Sequence, residues 1–107
     1  MSKETPNLEY IKKLSGDDLA FEQKFIAILK DEFPVEKQEY IKTLREGKTN
    51  ESALIVHKLK HKLNILGLEK AYGLAVTYEE ELKMENTALN EEFSSILETI
   101  ESYLKTL

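Results

Sequence analysis

Apolar residues recur at intervals of three and four along almost the whole chain of 107 residues, and no other feature constrains the fold as strongly. This spacing is that of an amphipathic α-helix, and no stretch alternates with period two for long enough to predict a β-strand. Breaks at residues 15–18, at Gly47 and at Gly67 divide the pattern, while Pro34 either kinks a helix or begins a new one. We therefore expect an all-α fold, namely an antiparallel four-helix bundle with a short extra helix at the N-terminus.

The length and composition indicate one domain, which we expect to span residues 1–107. Twenty acidic residues against fifteen basic ones give a net charge of -5, which argues against nucleic acid as a partner. The lack of cysteine excludes disulfides and thiolate metal sites and fits a cytoplasmic location. No apolar run approaches the ~20 residues of a membrane span, and residues 1–4 do not begin a signal peptide, so no membrane association is expected. Because the chain supplies enough helices for a complete bundle, we expect a free-standing monomer; the alternative is a domain excised from a larger hybrid kinase.

His57 lies on the polar side of a well-patterned helix. At ~100° per residue its side chain points away from the apolar face of that helix. The apolar face consists of Ile55, Val56, Leu59, Leu63 and Leu66. Three polar residues share the stripe of His57 at i+3, i+4 and i+7 and are its neighbours on the helix surface; they are Lys60, His61 and Asn64. The core does not require His57, which is therefore either a solvated histidine without a role or a functional imidazole.

Glu79 is the acidic residue that we expect opposite His57. Leu68 is eleven residues from each of them, so in a helical hairpin that turns at residues 67–68 both lie ~16 Å from the turn. Glu79 shares its helix face with apolar neighbours, namely Tyr72, Ala75, Val76 and Leu82. A carboxylate there accepts the Nδ1 proton of His57 and leaves Nε2 free as a nucleophile. The alternative is that Glu79 simply pairs with Lys83 at i+4.

Residues 57–67 read His-Lys-Leu-Lys-His-Lys-Leu-Asn-Ile-Leu-Gly. This stretch resembles the motif of histidine-containing phosphotransfer (HPt) domains, H-x-[LI]-K-G-x-x-x-x-[LFV]-G. The matching residues are His57, Leu59, Lys60, Leu66 and Gly67. The resemblance extends over nearly the whole chain and includes the short first helix, the break at Pro34 and the turn at residues 67–68. HPt domains are helical bundles that relay phosphoryl groups between the aspartates of receiver domains.

The resemblance implies a role for each residue around the motif. His57 would be the phosphoacceptor, and Lys60 would stabilise the phosphoryl group. Glu79 falls where the family often has Gln or Glu hydrogen-bonded to the active imidazole. His61 departs from the family, which usually has glycine at this position. The imidazole of His61 would crowd a docking receiver, swing aside, or donate a hydrogen bond to the phosphoryl oxygens, which makes it a candidate modulator.

The resemblance also implies partners, namely the receiver domains of a hybrid histidine kinase and of a response regulator. We expect the docking residues to be exposed and close to His57; the candidates are Asn64, Ile65, Leu68 and Tyr72. Lys58 and Lys62 lie off the stripe of His57 on the helix surface. We expect both to be solvated and to help to attract acidic receivers.

No cofactor or metal is expected on this chain itself. It has no obvious Mg²⁺ site, so the metal that phosphoryl transfer needs should come from the receiver. It has no glycine-rich nucleotide loop, so it should not use ATP directly. The sequence thus predicts a phosphoryl carrier and not a kinase.

Two other interpretations stay open at this point. His57 and His61, at i and i+4, have a spacing that holds Zn²⁺ in some proteins, although the glutamate of H-E-x-x-H is missing and the adjacent lysines would repel a cation. The second interpretation is a phosphorylation-inactive helical module that only docks receiver domains. His61 in the usual glycine position is the feature that favours it.

Overall fold

The structure, a computed structural model, describes residues 4–107. These residues form five helices and no strand. In chain order the helices are α1 (Glu9–Ser15), α2 (Leu19–Arg45), α3 (Thr49–Ile65), α4 (Glu69–Lys83) and α5 (Asn90–Leu104). The all-helical class predicted from the apolar spacing is confirmed. Within residues 4–107 no helix has the combined length and apolar character needed to cross a lipid bilayer.

The second helix runs through Pro34 without ending, which rules out one of the two alternatives for this residue, that it begins a new helix. Proline lacks the amide that would normally donate to the carbonyl four residues earlier, here that of Lys30. Both residues are exposed, so water can hydrate the free carbonyl. The start of α2 is fixed by Asp18, whose Oδ1 accepts the backbone N–H of Phe21 at 3.0 Å.

The core forms where α3 packs against α2 and α4, and where α5 packs against the same two helices. An aromatic cluster lies at its centre, with the ring centroid of Phe93 5.3 Å from those of Tyr40 and Tyr78. The two buried tyrosine hydroxyls are 2.5 Å apart, and that of Tyr40 donates to Oδ1 of Asn90 at 2.7 Å. Because each hydroxyl has a partner, the core accommodates these polar groups at little cost.

Some apolar residues of the helical pattern do not reach this core. Most of them lie on α1 and α2 and include Leu14, Leu19, Phe21, Ile28 and Val35, and Leu54 on α3 and Val76 on α4 are exposed as well. By contrast, the apolar stripe of α5 is buried almost throughout. Spacing alone therefore predicts which residues can share a face, but not which face another helix covers.

The connection between α3 and α4 is a tight turn at Gly67. This residue has φ +77°, a left-handed conformation that costs glycine little and other residues more. The N–H of Leu68 then donates to the carbonyl of Leu63 at 2.9 Å, which closes the end of α3. The short turn brings the facing sides of α3 and α4 together.

The N-terminal segment ahead of α1 binds to this turn. The backbone N–H of Asn7 donates to the carbonyl of Leu66 at 2.9 Å. The carboxylate of Glu4 accepts the N–H groups of Lys70 and Ala71 at 2.7 and 2.9 Å. A carboxylate at the start of a helix satisfies free amides and complements the helix dipole, so Glu4 caps α4.

Candidate functional site

His57 lies in the middle of α3 with its ring half exposed. Its Nδ1 is 3.2 Å from Oε1 of Glu79 on α4, so the predicted contact between these two residues is confirmed. An ionised carboxylate only accepts hydrogen bonds, so Nδ1 of His57 is the donor. In a neutral imidazole this leaves Nε2 without a proton and with its lone pair available.

Glu79 contacts His57 and two lysines at this site. Its Oε1 is also 3.1 Å from Nζ of Lys60, and its Oε2 is 3.7 Å from Nζ of Lys83. The predicted contact with His57 and the alternative pairing with Lys83 therefore occur together. Burial by itself would raise the pKa of the Glu79 carboxyl, but the hydrogen bonds and charges of Lys60 and His57 outweigh it and lower the pKa below its usual value. Glu79 is consequently a carboxylate at neutral pH.

Lys60 is nearly enclosed, with 13% of its side chain exposed. Its ammonium group lies on Glu79 and 5.9 Å from the ring centroid of Tyr72, within the range of a cation–π contact. Lys60 is therefore on the same side of His57 as Glu79, next to Nδ1. Its stabilisation of a phosphoryl group stays a prediction.

His61 packs directly against His57. The two ring centroids are 5.1 Å apart and the ring planes are perpendicular, as in an edge-to-face pair. His61 is exposed. The residue that departs from the HPt motif thus lies in contact with the imidazole that would carry the phosphoryl group.

The prediction that Lys62 is solvated is wrong. Only 7% of Lys62 is exposed, and its Nζ lies 3.1 Å from Glu32 and 3.0 Å from Glu36, both on α2. The helical wheel of α3 gives no information about acidic side chains that a neighbouring helix supplies. Lys58 is exposed, as predicted.

The four candidate docking residues differ in exposure. Asn64 is exposed, while Ile65 and Tyr72 are half-buried. Leu68 is 3% exposed, so the expectation that it is accessible is wrong. It follows Gly67 in the tight turn and packs into the core, where it supports the start of α4.

Sequence reasoning did not assign Tyr72 its place beneath Lys60, nor did it predict that Lys60 and His57 share one carboxylate oxygen. The i to i+3 spacing of His57 and Lys60 and the geometry of the α3–α4 hairpin predict which residues are neighbours, but neither predicts side-chain conformation. For the zinc interpretation, residues 4–107 contain no group of three or more His, Cys, Asp or Glu side chains arranged to hold a metal ion.

Comparison of the chain with protein-family models, with curated proteins and with solved structures gives no match. A function therefore has to be inferred from the groups around His57. These groups offer a half-exposed imidazole with one nitrogen held by a carboxylate, and a lysine beside that carboxylate. This arrangement suits a nucleophile that accepts a group from a partner that approaches from solvent.

Proposed function

We propose that this protein is a histidine phosphotransfer protein, which relays a phosphoryl group between receiver-domain aspartates in a two-component phosphorelay. The observation that carries the proposal is the 3.2 Å contact between Nδ1 of His57 and Glu79. The side chain of His57 is 52% exposed despite this contact. The contact orients the imidazole and selects the tautomer in which Nε2 is the nucleophile. The exposure leaves Nε2 accessible to a macromolecular donor.

The chemistry requires little beyond these groups. Nε2 of His57 attacks the phosphorus of the aspartyl phosphate on a docked receiver; a P–N bond forms, the acyl P–O bond breaks, and the aspartate leaves as a carboxylate. The imidazole keeps its Nδ1 proton, and Glu79 stabilises the positive charge that develops on the ring. Attack by the aspartate of a second receiver reverses the step. Lys60 adds positive charge beside the ring, and the receiver supplies Mg²⁺ for the phosphoryl oxygens.

The proposed partners are the receiver domains of a hybrid histidine kinase and of a response regulator. They would dock around His57, with Asn64, Ile65 and Tyr72 in the contact and Leu68 as buried support. We further propose that α2–α5 form an antiparallel four-helix bundle with α1 as an additional helix. The protein would act as a cytoplasmic monomer without a cofactor of its own and without autokinase activity.

Transfer from a panel of phosphorylated receiver domains to this protein tests the proposal. The wild type and a Lys24→Gln control should acquire phosphate, because Lys24 is exposed and lies on α2, outside the two helices that carry the site. A His57→Gln variant should acquire none. The bound phosphate should survive alkali and be lost in acid, as a phosphoramidate is. Labelling of His57→Gln at the wild-type level, or acid-stable label, would contradict the proposal.

A phosphorylation-inactive docking module is the second candidate. Two observations favour it: His61 occupies the position where the HPt family usually has glycine, and the ammonium of Lys60 is already engaged by Glu79. Receiver binding in the complete absence of transfer would support this candidate. Absence of both binding and transfer would exclude both functions.

A further inference from the structure

We propose that His61 binds the phosphoryl group carried on Nε2 of His57 and thereby lengthens the lifetime of the phosphohistidine. The inference rests on the proposed function, since it concerns the phosphorylated form of the same site. It assigns His61 a direct contact with the transferred group.

The position of His61 around the axis of α3 is the first argument. At ~100° per residue, Lys60 lies ~60° to one side of His57 and His61 lies ~40° to the other. Lys60 contacts Glu79 on α4, so His61 is on the side that faces away from α4. Because Nδ1 of His57 also points to Glu79, Nε2 points away from α4, toward the side of His61.

The distance between the rings is the second argument. Side chains of a helix lean toward its N-terminus, so a residue at i+4 covers the turn that carries residue i. The ring centroids of His57 and His61 are accordingly 5.1 Å apart. A group attached to Nε2 extends beyond the edge of the His57 ring, and a rotation of the exposed His61 side chain brings its N–H to the phosphoryl oxygens.

Charge is the third argument. Lys60 and Glu79 already neutralise each other at 3.1 Å, and Lys83 also lies on Glu79. The pKa of the Glu79 carboxyl, which burial would raise, is lowered by Lys60 and His57, so Glu79 stays a carboxylate at neutral pH. A phosphoryl group on Nε2 of His57 adds negative charge that these paired groups do not match. A protonated His61 is the partner that can match the added negative charge.

A cation at the phosphoryl oxygens should slow hydrolysis. Phosphoryl transfer passes through a largely metaphosphate-like transition state, in which these oxygens carry less negative charge than in the phosphohistidine. A hydrogen bond from imidazolium therefore stabilises the phosphorylated protein more than the transition state for its loss. Removal of His61 should shorten the lifetime of the phosphohistidine.

Phosphoramidate is a suitable donor because it does not require the partner receiver to be known. Nε2 of His57 attacks its phosphorus, the P–N bond of the donor breaks, and ammonia leaves with the donor's proton. Wild type, His61→Gly, His61→Lys and the control Lys24→Gln would each be phosphorylated in this way. After removal of the donor, ³¹P NMR would give the half-life of the phosphohistidine at about pH 6 and about pH 8.

At about pH 6, His61→Gly should lose phosphate about fivefold faster than the wild type, the factor expected of one exposed charge interaction. A hydrogen bond from imidazolium predicts a smaller difference at about pH 8, because imidazolium in general loses a proton as the pH rises. His61→Lys should restore a long half-life at both pH values, and Lys24→Gln should match the wild type. Rescue by a different cation would not be expected if His61 only packed against His57.

Equal half-lives for wild type and His61→Gly at both pH values would overturn the inference and leave the proposed function intact. The inference would also be overturned if His61→Gly accepted phosphate from receivers faster with an unchanged half-life, because His61 would then only restrict access. A wild type that acquires no phosphate on His57 from phosphoramidate or from any receiver would overturn the proposed function, and the inference with it.

Discussion

Lys60 and Glu79 form an ion pair, 3.1 Å from Nζ to Oε1, on the same carboxylate oxygen that Nδ1 of His57 contacts. The orientation of the imidazole is therefore coupled to the charge of the lysine. Removal of the carboxylate releases both groups at once. This coupling makes Glu79 the most informative residue to change in the site.

Glu79→Gln should slow phosphorylation of His57 about tenfold, which corresponds to ~1.4 kcal/mol in the barrier. The glutamine keeps the size of the side chain but loses the charge that stabilises the developing imidazolium. Glu80→Gln is the matched control, since Glu80 is the next residue and 65% of its side chain is exposed. Initial rates with phosphoramidate measure the effect. Similar rates for the two variants would mean that Glu79 has no special part in the reaction.

The same carboxylate should make stability depend on pH in acid. The pKa of Glu79 in the folded protein is lower than its usual value of 4.5. Near and below pH 4.5 the unfolded chain therefore binds more protons at this group than the folded protein does. Its contribution to the free energy of unfolding is complete above about pH 5 and is lost as pH falls through the lowered pKa. The difference in stability between wild type and Glu79→Gln should therefore narrow below pH 4.5. Urea unfolding at a series of pH values measures it, and a constant difference would contradict the assignment.

Lys62→Met should lower the free energy of unfolding by about 2 kcal/mol, because it leaves acidic groups beside α3 without their cation. Glu36 is the more enclosed of the two, with 15% of its side chain exposed. Addition of Glu36→Gln should recover part of the loss, since the two residues interact directly. Lys58→Met, at an exposed position of the same helix, should stay within about 0.5 kcal/mol of the wild type. Denaturant titrations would compare the four proteins, and an unaltered Lys62→Met would show that the buried pairing gives no net stabilisation.

Three glycine-to-alanine changes should separate backbone strain from steric overlap. Gly67 has φ +77°, and a Cβ atom there would lie 2.6 Å from the side chain of Asn7, so Gly67→Ala should cost more than the ~1–2 kcal/mol of the left-handed conformation alone. Gly47 has φ +72° with open space around it, so Gly47→Ala should show the strain by itself. Gly73, inside α4, has neither problem, and Gly73→Ala should stabilise by about 0.5–1 kcal/mol. Thermal unfolding should show Gly67→Ala as the least stable of the three variants, Gly47→Ala as intermediate and Gly73→Ala as the most stable. Any other order would contradict the explanation.

The sequence was sufficient to predict the contact between His57 and Glu79. The turn at Gly67 and the constant rise of an α-helix determine which residues of a hairpin lie level with each other. The helical wheel likewise predicts that His57 faces away from the core. Both inferences depend only on local geometry, which varies little from one protein to the next.

The predictions that failed depend on the positions of other helices. Lys62 was expected to be solvated, but α2 places two carboxylates against it. Leu68 was expected to be accessible, but the turn directs it into the core. The exposure of Phe21, despite its helical spacing, has the same origin. One helix at a time cannot predict such features, because they require the relative placement of two or more.

The attachment of the N-terminal segment to the α3–α4 turn imposes an order of assembly on a newly synthesised chain. Glu4 caps amides that lie 66 and 67 residues further along the chain. At about 5–20 residues per second on the ribosome, the segment waits ~3–13 s before those amides have been made. Glu4 thus reaches its final position only once the start of α4 has been made, and the cap is already in the chain when the first turn of α4 forms.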